Sequence, residues 1–346
     1  MQGEPILEAV NLKKYFEQNT NIIETLLGNR GEYVKAVDDV SFTLDNEEVI
    51  GVIGESGCGK STLIQTLLGL YTPTEGTVRF KGRDTAEYSR KDWKQFRGNV
   101  QMIFQDPFNS LDPKFTVRDT LKERLTIHKM DDKERRMHEA LEHVKLGPPE
   151  EYLDRLPRHL SGGEKQRVSI ARALILEPDL ILADEPVSML DVSTQAAVLN
   201  LLSELTDNLG VSMVYISHDL STVSYVCDRI NVMYLGRFVE RGPTKELIRD
   251  PKHPYSQALI NSIPIPDPHA NRQRTQIEGA PRDPIGLGDG CRFRDRCPER
   301  MDICEKTPKF HKMDGEEVRR VACHLYYDHE SSEHSQESEL IQQSES

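Results

Sequence analysis

Residues 54–62 read Gly-Glu-Ser-Gly-Cys-Gly-Lys-Ser-Thr, the spacing G-x-x-x-x-G-K-[ST] of a phosphate-binding loop. Gly54, Glu55, Ser56, Gly57, Cys58, Gly59, Lys60, Ser61 and Thr62 are therefore candidate nucleotide contacts. Glycines let a backbone close around phosphates, and the N–H groups of the loop and of a following helix N-terminus favour negative charge. Lys60 is suited to the β- and γ-phosphates and Ser61 to ligating Mg²⁺. A second constellation is Leu-Ile-Leu-Ala-Asp-Glu at 180–185. Its apolar run delivers two carboxylates to one sheet edge. Asp184 suits Mg²⁺, held through its water shell, and Glu185 suits polarising a water that attacks a γ-phosphate. A third lies within 158–176, where Ser161 precedes Gly162 and Gly163 and Glu164 sits three residues on. Ser161 reads as an N-cap with a capping box, and two glycines at a helix start leave N–H groups bare for an anion. A chain with one complete phosphate loop needs a second anion site only if that site serves another molecule.

These residues must be positioned by something. Four apolar runs each end in a candidate residue: 48–54 in the glycine loop, 99–106 at Gln105, 179–186 at the two acids and 211–219 at His218. Continuously apolar runs predict strands buried on both faces of a parallel sheet. Helical patterns separate them, as in 61–70 and 195–209, so an α/β domain is expected. In such sheets ligands bind beyond the carboxyl ends of the strands, where the polar residues lie.

The chain has 346 residues, 37% hydrophobic and 29% charged, with a net charge of −13. This suits one large domain plus an appendage, or two domains. The acidic balance argues against general nucleic-acid binding, which needs a basic face. No apolar run approaches a membrane span, and the N-terminal stretch reads as no secretory signal. A cytosolic protein with reduced cysteines is expected, in which clustered cysteines point to metal rather than disulfides.

Together the motifs resemble ABC-type ATPases. Residues 54–62 look like Walker A, Gln105 like the Q-loop glutamine and 180–185 like Walker B. LSGGEKQR at 160–167 looks like the signature, 188–191 like the D-loop and Ser217-His218 like the switch histidine. The resemblance covers residues 1 to about 255. It implies a P-loop ATPase domain with a RecA-like core and a helical subdomain at about 106–170 that docks on a membrane partner. It also implies a head-to-tail dimer in which each ATP lies between one subunit's Walker A and the other's signature. Ser161, Gly162 and Gly163 would then serve the partner's nucleotide, with Asp191 acting across the interface. Glu185 would be the base and His218 a γ-phosphate contact, while Gln105 would sense Mg²⁺ and couple to the transport subunits. An aromatic stacked on adenine is expected from Phe16 or Tyr15, with Tyr33 the alternative after the 17–34 insertion.

Past 255 the chain turns proline-rich, and HPYSQALINSIPIPDP (253–268) with CRFRDRCP (291–298) resembles the C-terminal extension of oligopeptide/dipeptide and nickel importer ATPases, leaning to the F-type subunit. That implies a related partner ATPase in a heterodimer, two permeases, an extracellular solute-binding protein and the cytoplasmic face of the membrane. Cys291, Cys297, Cys304 and Cys323, spaced C-x5-C-x6-C-x18-C, suit Zn²⁺ or an iron–sulfur cluster. The missing C-x2-C knuckle weighs against zinc, and similarity to importer ATPases implies [4Fe–4S]. The expected division is 1–255 ATPase, 256–328 extension and 329–346 disordered acidic tail. A soluble ABC-type ATPase acting on nucleic acid or ribosomes is the alternative function. A P-loop kinase would have no use for the signature helix.

Overall fold

The computed structural model describes residues 4–17, 33–261, 284–313 and 319–327. The 263–268 proline run, most of the 17–34 insertion and the 329–346 tail fall outside them. Strands β1 (Leu7–Glu17), β2 (Tyr33–Leu44), β4 (Glu75–Phe80) and β5 (Arg83–Asp84) form an antiparallel sheet in the order β2-β1-β4-β5. Here β3 is Val49–Ile53, which belongs to the second sheet.

That larger sheet adds β6 (Val100–Ile103), β7 (Leu180–Asp184), β8 (Ser212–Ser217), β9 (Arg229–Tyr234) and β10 (Arg237–Pro243), then β11 (His311–Lys312) and β12 (Arg320–Val321). Its order is β11-β12-β10-β9-β3-β8-β7-β6. The pairs β6–β7, β7–β8, β8–β3 and β3–β9 are parallel. Every residue of β3, β7 and β8 is buried, so the four continuously apolar runs are parallel strands, as the pattern predicts. Their carboxyl ends bring residue 54, Gln105, Glu185 and His218 to one edge.

Between Gln105 and the signature the chain is mostly helical, with segments Pro107–Ser110, Val117–Ile127, Lys133–His143 and Pro149–Leu153 before the helix Gly162–Leu174. Thr116 and Asp119 close a capping box at the second of these. Leu121, Leu125, Met137 and Leu141 are fully buried and continuous with the core under Val168 and Ile181. The charges of 131–144 lie mainly on the outer face, many in exposed ion pairs such as Arg135–Glu139, which contribute little to stability.

The expected boundary at 255 falls inside a helix, Pro254–Asn261. Beyond it, β12 pairs with β10 through Glu240↔Val321 and Arg241↔Arg320. The C-terminal segment thus extends the core sheet at its edge. Its buried residues Leu287, Cys291, Phe293 and Cys304 belong to the same core as the parallel strands.

Candidate active site

The loop after β3 forms the floor of a cleft of about 780 Å³. Gly54, Glu55, Ser56, Gly57, Gly59, Lys60, Ser61 and Thr62 line it, with Gln105, Glu185 and His218 opposite. The helix Lys60–Leu67 begins here, and its N-cap, Gly59, has a left-handed backbone (φ 110°) and no side chain bonded to the first turn. A Cβ at Gly59 would lie 1.9 Å from the Ala36 carbonyl, and one at Gly54 would lie 2.2 Å from the Met233 carbonyl. Glycine at both places is enforced by β2 and β9 packing beneath the loop. Lys60 is 5% exposed. Its ammonium donates to the Gly54 and Glu55 carbonyls at 2.8 and 2.9 Å, which holds the charge at the loop.

Asp184 ends β7 in a buried position, and burial pushes its carboxyl above the usual range. Its carboxylate accepts from the Ser61 hydroxyl, 3.3 Å away. A buried carboxylate beside a hydroxyl fits a hard cation taking oxygen ligands. Ser61 and Asp184, with Gln105 at the cleft, are the residues that would hold Mg²⁺. Glu185 adopts a left-handed backbone (φ 46°), costly for a non-glycine residue. Its N–H donates to the Ile216 carbonyl at 2.9 Å, and Ser188 Oγ donates to the Glu185 carbonyl at 3.0 Å. The carboxylate meets Gln105 Nε2 and His218 Nδ1, each at 3.0 Å. Both contacts fall on Oε2, leaving Oε1 clear of them.

Of the aromatics, Phe16 lines the cleft. Tyr15 and Tyr33 do not. The Tyr15 hydroxyl donates instead to Asp38, and Tyr33 sits at the strand end with its hydroxyl 3.4 Å from Glu17. Neighbours on a strand face opposite sides, so only one of Tyr15 and Phe16 can meet the ligand. The Cys58 side chain, inside the loop, is 4% exposed and absent from the lining. Burial raises its pKa, so it is a poor target for thiol reagents.

Ser161, Gly162, Gly163 and Asp191 lie outside this cleft. Ser161 Oγ accepts from the Glu164 N–H at 3.3 Å, and Glu164 Oε2 accepts from the Ser161 N–H at 2.7 Å. The capping box is therefore closed. Asp191 caps the helix Val192–Leu209, accepting from Thr194 N and Oγ1. A Cβ on Gly163 would lie 2.5 Å from Thr194 Cγ2, so the signature glycine is also a packing requirement between these two helix starts.

Sequence reasoning missed the residues that hold the loop from behind. Tyr255 is fully buried, and its hydroxyl accepts the Glu55 N–H at 2.9 Å. It packs with Tyr234 and Phe293 at ring separations of 4.6 and 5.4 Å. His253, pushed down to about 3 by burial, stays neutral and accepts from Tyr255 N at 3.0 Å. The buried Glu240 carboxylate accepts the N–H groups of Lys252 and His253, both at 2.9 Å. Arg292 pairs with the buried Asp38, which also takes Arg237 and Tyr15. Burial alone would raise the Asp38 carboxyl, but these donors hold it below its ordinary value. The visible signal was the His-Pro-Tyr run and the arginines among the cysteines.

All six cysteines are free. Burial pushes Cys291 to about 11 and Cys323 to about 12, and the charges of the other cysteines add to both shifts. The Cys291 N–H donates to the Cys304 carbonyl at 2.8 Å. The four thus share one neighbourhood. Among the described residues, however, no three His, Cys, Asp or Glu side chains are grouped as a metal site.

Known proteins carry the same organisation. The ABC transporter family pattern matches residues 37–188, and the C-terminal region of oligopeptide/dipeptide transporters matches 239–304. The oligopeptide transport ATP-binding protein AppF of Bacillus subtilis is 44% identical over 93% of this chain and 98% of its own length. The dipeptide transport ATP-binding protein DppF of Haemophilus influenzae is 40% identical over 93% and 97%. Among solved structures, cbiO1 from Clostridium perfringens, part of the ABC transporter complex cbiONQ, superposes with a TM-score of 0.60 at 28% identity, covering 72% of this chain and 92% of that one. The ATP-binding cassette MJ0796, solved as a dimer bound to ADP and Pi, gives 0.59 at 27%, covering 69% and 98%. With the phosphate loop, paired acids, signature and C-terminal region on one chain, the protein belongs to the ATP-binding subunits of the oligopeptide/dipeptide ABC transporter family.

Proposed function

We propose that this chain hydrolyses ATP to drive uptake of oligopeptides or dipeptides through membrane permeases, from the cytoplasmic face. The observation that carries the reading is Glu185, held at the mouth of the phosphate-loop cleft by Gln105 and His218 at 3.0 Å each. With both neighbours on Oε2, Oε1 can accept a proton from a water attacking the γ-phosphate. The loop N–H groups and Lys60 bind the phosphates, Phe16 stacks on adenine, and Ser61, Asp184 and Gln105 orient Mg²⁺, which when bound offsets charge on the phosphate oxygens. His218 steadies the γ-phosphate.

The signature stands outside its own chain's cleft, which supports a head-to-tail pair. In it Ser161, Gly162 and Gly163 close on the partner's nucleotide and Asp191 works across the interface. The partner is a homologous ATPase, and a solute-binding protein delivers the peptide. Residues past 255 act as a small cysteine-rich extension. Cys291, Cys297, Cys304 and Cys323 would supply the thiolates for a [4Fe–4S] cluster, with Zn²⁺ as the alternative. What supports it is the shared neighbourhood of the four thiols. Coordinating one centre requires them to come closer together. The test is ATP-dependent peptide uptake in vesicles carrying the co-expressed permeases and partner ATPase, alongside metal and sulfide analysis of anaerobically purified protein. Uptake without this chain would sink the motor role, and metal-free protein would sink the cluster.

A further inference from the structure

Glu55 is out of place. It lines the cleft that receives phosphates, where a free carboxylate would repel them. A residue 241 positions away resolves this. Arg296 meets Glu55 as a fork, Nη1 to Oε2 at 2.9 Å and Nη2 to Oε1 at 3.1 Å. Both side chains are largely shielded, at 10% and 24% exposure, and paired geometry of this kind fixes direction as well as charge. Arg296 Nη1 also donates to the Tyr234 hydroxyl at 3.2 Å. Tyr234 packs on Tyr255, which receives the Glu55 N–H. Glu55 is thus held at backbone and side chain from one aromatic platform. The Cys58 carbonyl, farther along the loop, is tied by Gly236 N at 2.8 Å.

We infer that Arg296 is a positioning residue of the nucleotide site: from the cysteine-bearing segment it draws the Glu55 carboxylate aside and offsets its charge, presetting the phosphate loop for ATP. The segment next to Cys297 is then part of the ATP site rather than an attachment to it. This rests on residues 54–62 being the phosphate loop.

The test uses the full-length chain purified with its transport partners, measuring KM and kcat for MgATP and affinity for a fluorescent ATP analogue. Arg296→Ala should raise KM about five- to tenfold, the scale of one partly screened charge beside phosphates, with kcat within about twofold. Glu55→Gln removes the charge that Arg296 offsets, so Arg296→Ala/Glu55→Gln should recover most of the lost affinity. A merely structural role for Arg296 predicts no such recovery. Arg294→Ala, in the same loop but bonded to the Asp289 carbonyl, should leave KM unchanged. The inference is overturned by a normal KM in Arg296→Ala, by a double variant as poor as the single one, or by an equal rise in Arg294→Ala. Lys60→Ala separates the premise: normal ATP affinity there would dismiss the phosphate loop itself, whereas failure of Arg296→Ala alone would dismiss only the clamp.

Discussion

Two helix starts in this chain carry features of an anion site, and they are built differently. At Lys60 the N-cap is a glycine with no side chain on the first turn, and the surrounding cleft supplies a lysine, two acids, a glutamine and a histidine. At Gly162 the N-cap is a serine whose hydroxyl and Glu164 satisfy each other's N–H groups. It lies outside the cleft that Lys60, Gln105, Glu185 and His218 line. The first start is open to a ligand and carries the chemistry. The second is capped by its own side chains, which take the N–H groups of Ser161 and Glu164 and leave those of Gly162 and Gly163 for a further partner. A helix N-terminus binds phosphate strongly only where its own sequence leaves donors free.

The sharpest way to break that contrast is at the acids. Glu185→Gln should lower turnover about 10²–10⁴-fold while ATP still binds, read as steady-state phosphate release against nucleotide titration. Normal release would remove Glu185 from the chemistry. Lys60→Ala should weaken ATP binding about 10–100-fold, the scale of lost charge-assisted bonds, in the same titration. On the signature side, Gly163→Ala places a methyl against Thr194, which Asp191 holds, at a cost of about 1–3 kcal/mol. It should reduce turnover of the assembled pair yet leave affinity for ATP within about twofold. Equal loss of affinity would mean the two starts are not separate.

The smallest effect concerns Asp191. Bonds from Ser193 and Thr194 hold its carboxyl at about 2, below the ordinary 3.8. A depressed carboxyl stabilises the fold above its unfolded value and loses that contribution as pH falls through the folded one. The melting temperature of Asp191→Asn should therefore lie below the parent's at neutral pH, and the gap should shrink as pH drops from about 4 toward 2. A gap that does not change with pH would exclude the carboxylate as its source.

The site was legible where local chemistry dictates structure. A glycine loop between a strand and a helix, acids at a strand end and a serine before two glycines each carry their reason within a few residues. Tyr15 against Phe16 was not legible, because strand alternation says that one ring faces the cleft and not which. Cys58 shows the same limit: a position inside a motif says nothing about which way its side chain turns.

By itself the sequence determined the parallel sheet, the order of its phosphate-binding and acidic residues, and the capped signature helix, since apolar periodicity and capping are properties of short segments. Tertiary structure alone decided that the C-terminal segment adds a strand to the core sheet, that Tyr255 and Arg296 grip Glu55, and that one oxygen of Glu185 takes both Gln105 and His218. These contacts join residues tens to hundreds of positions apart. No local pattern encodes them, because they exist only once the core has brought the strand ends and the chain end together.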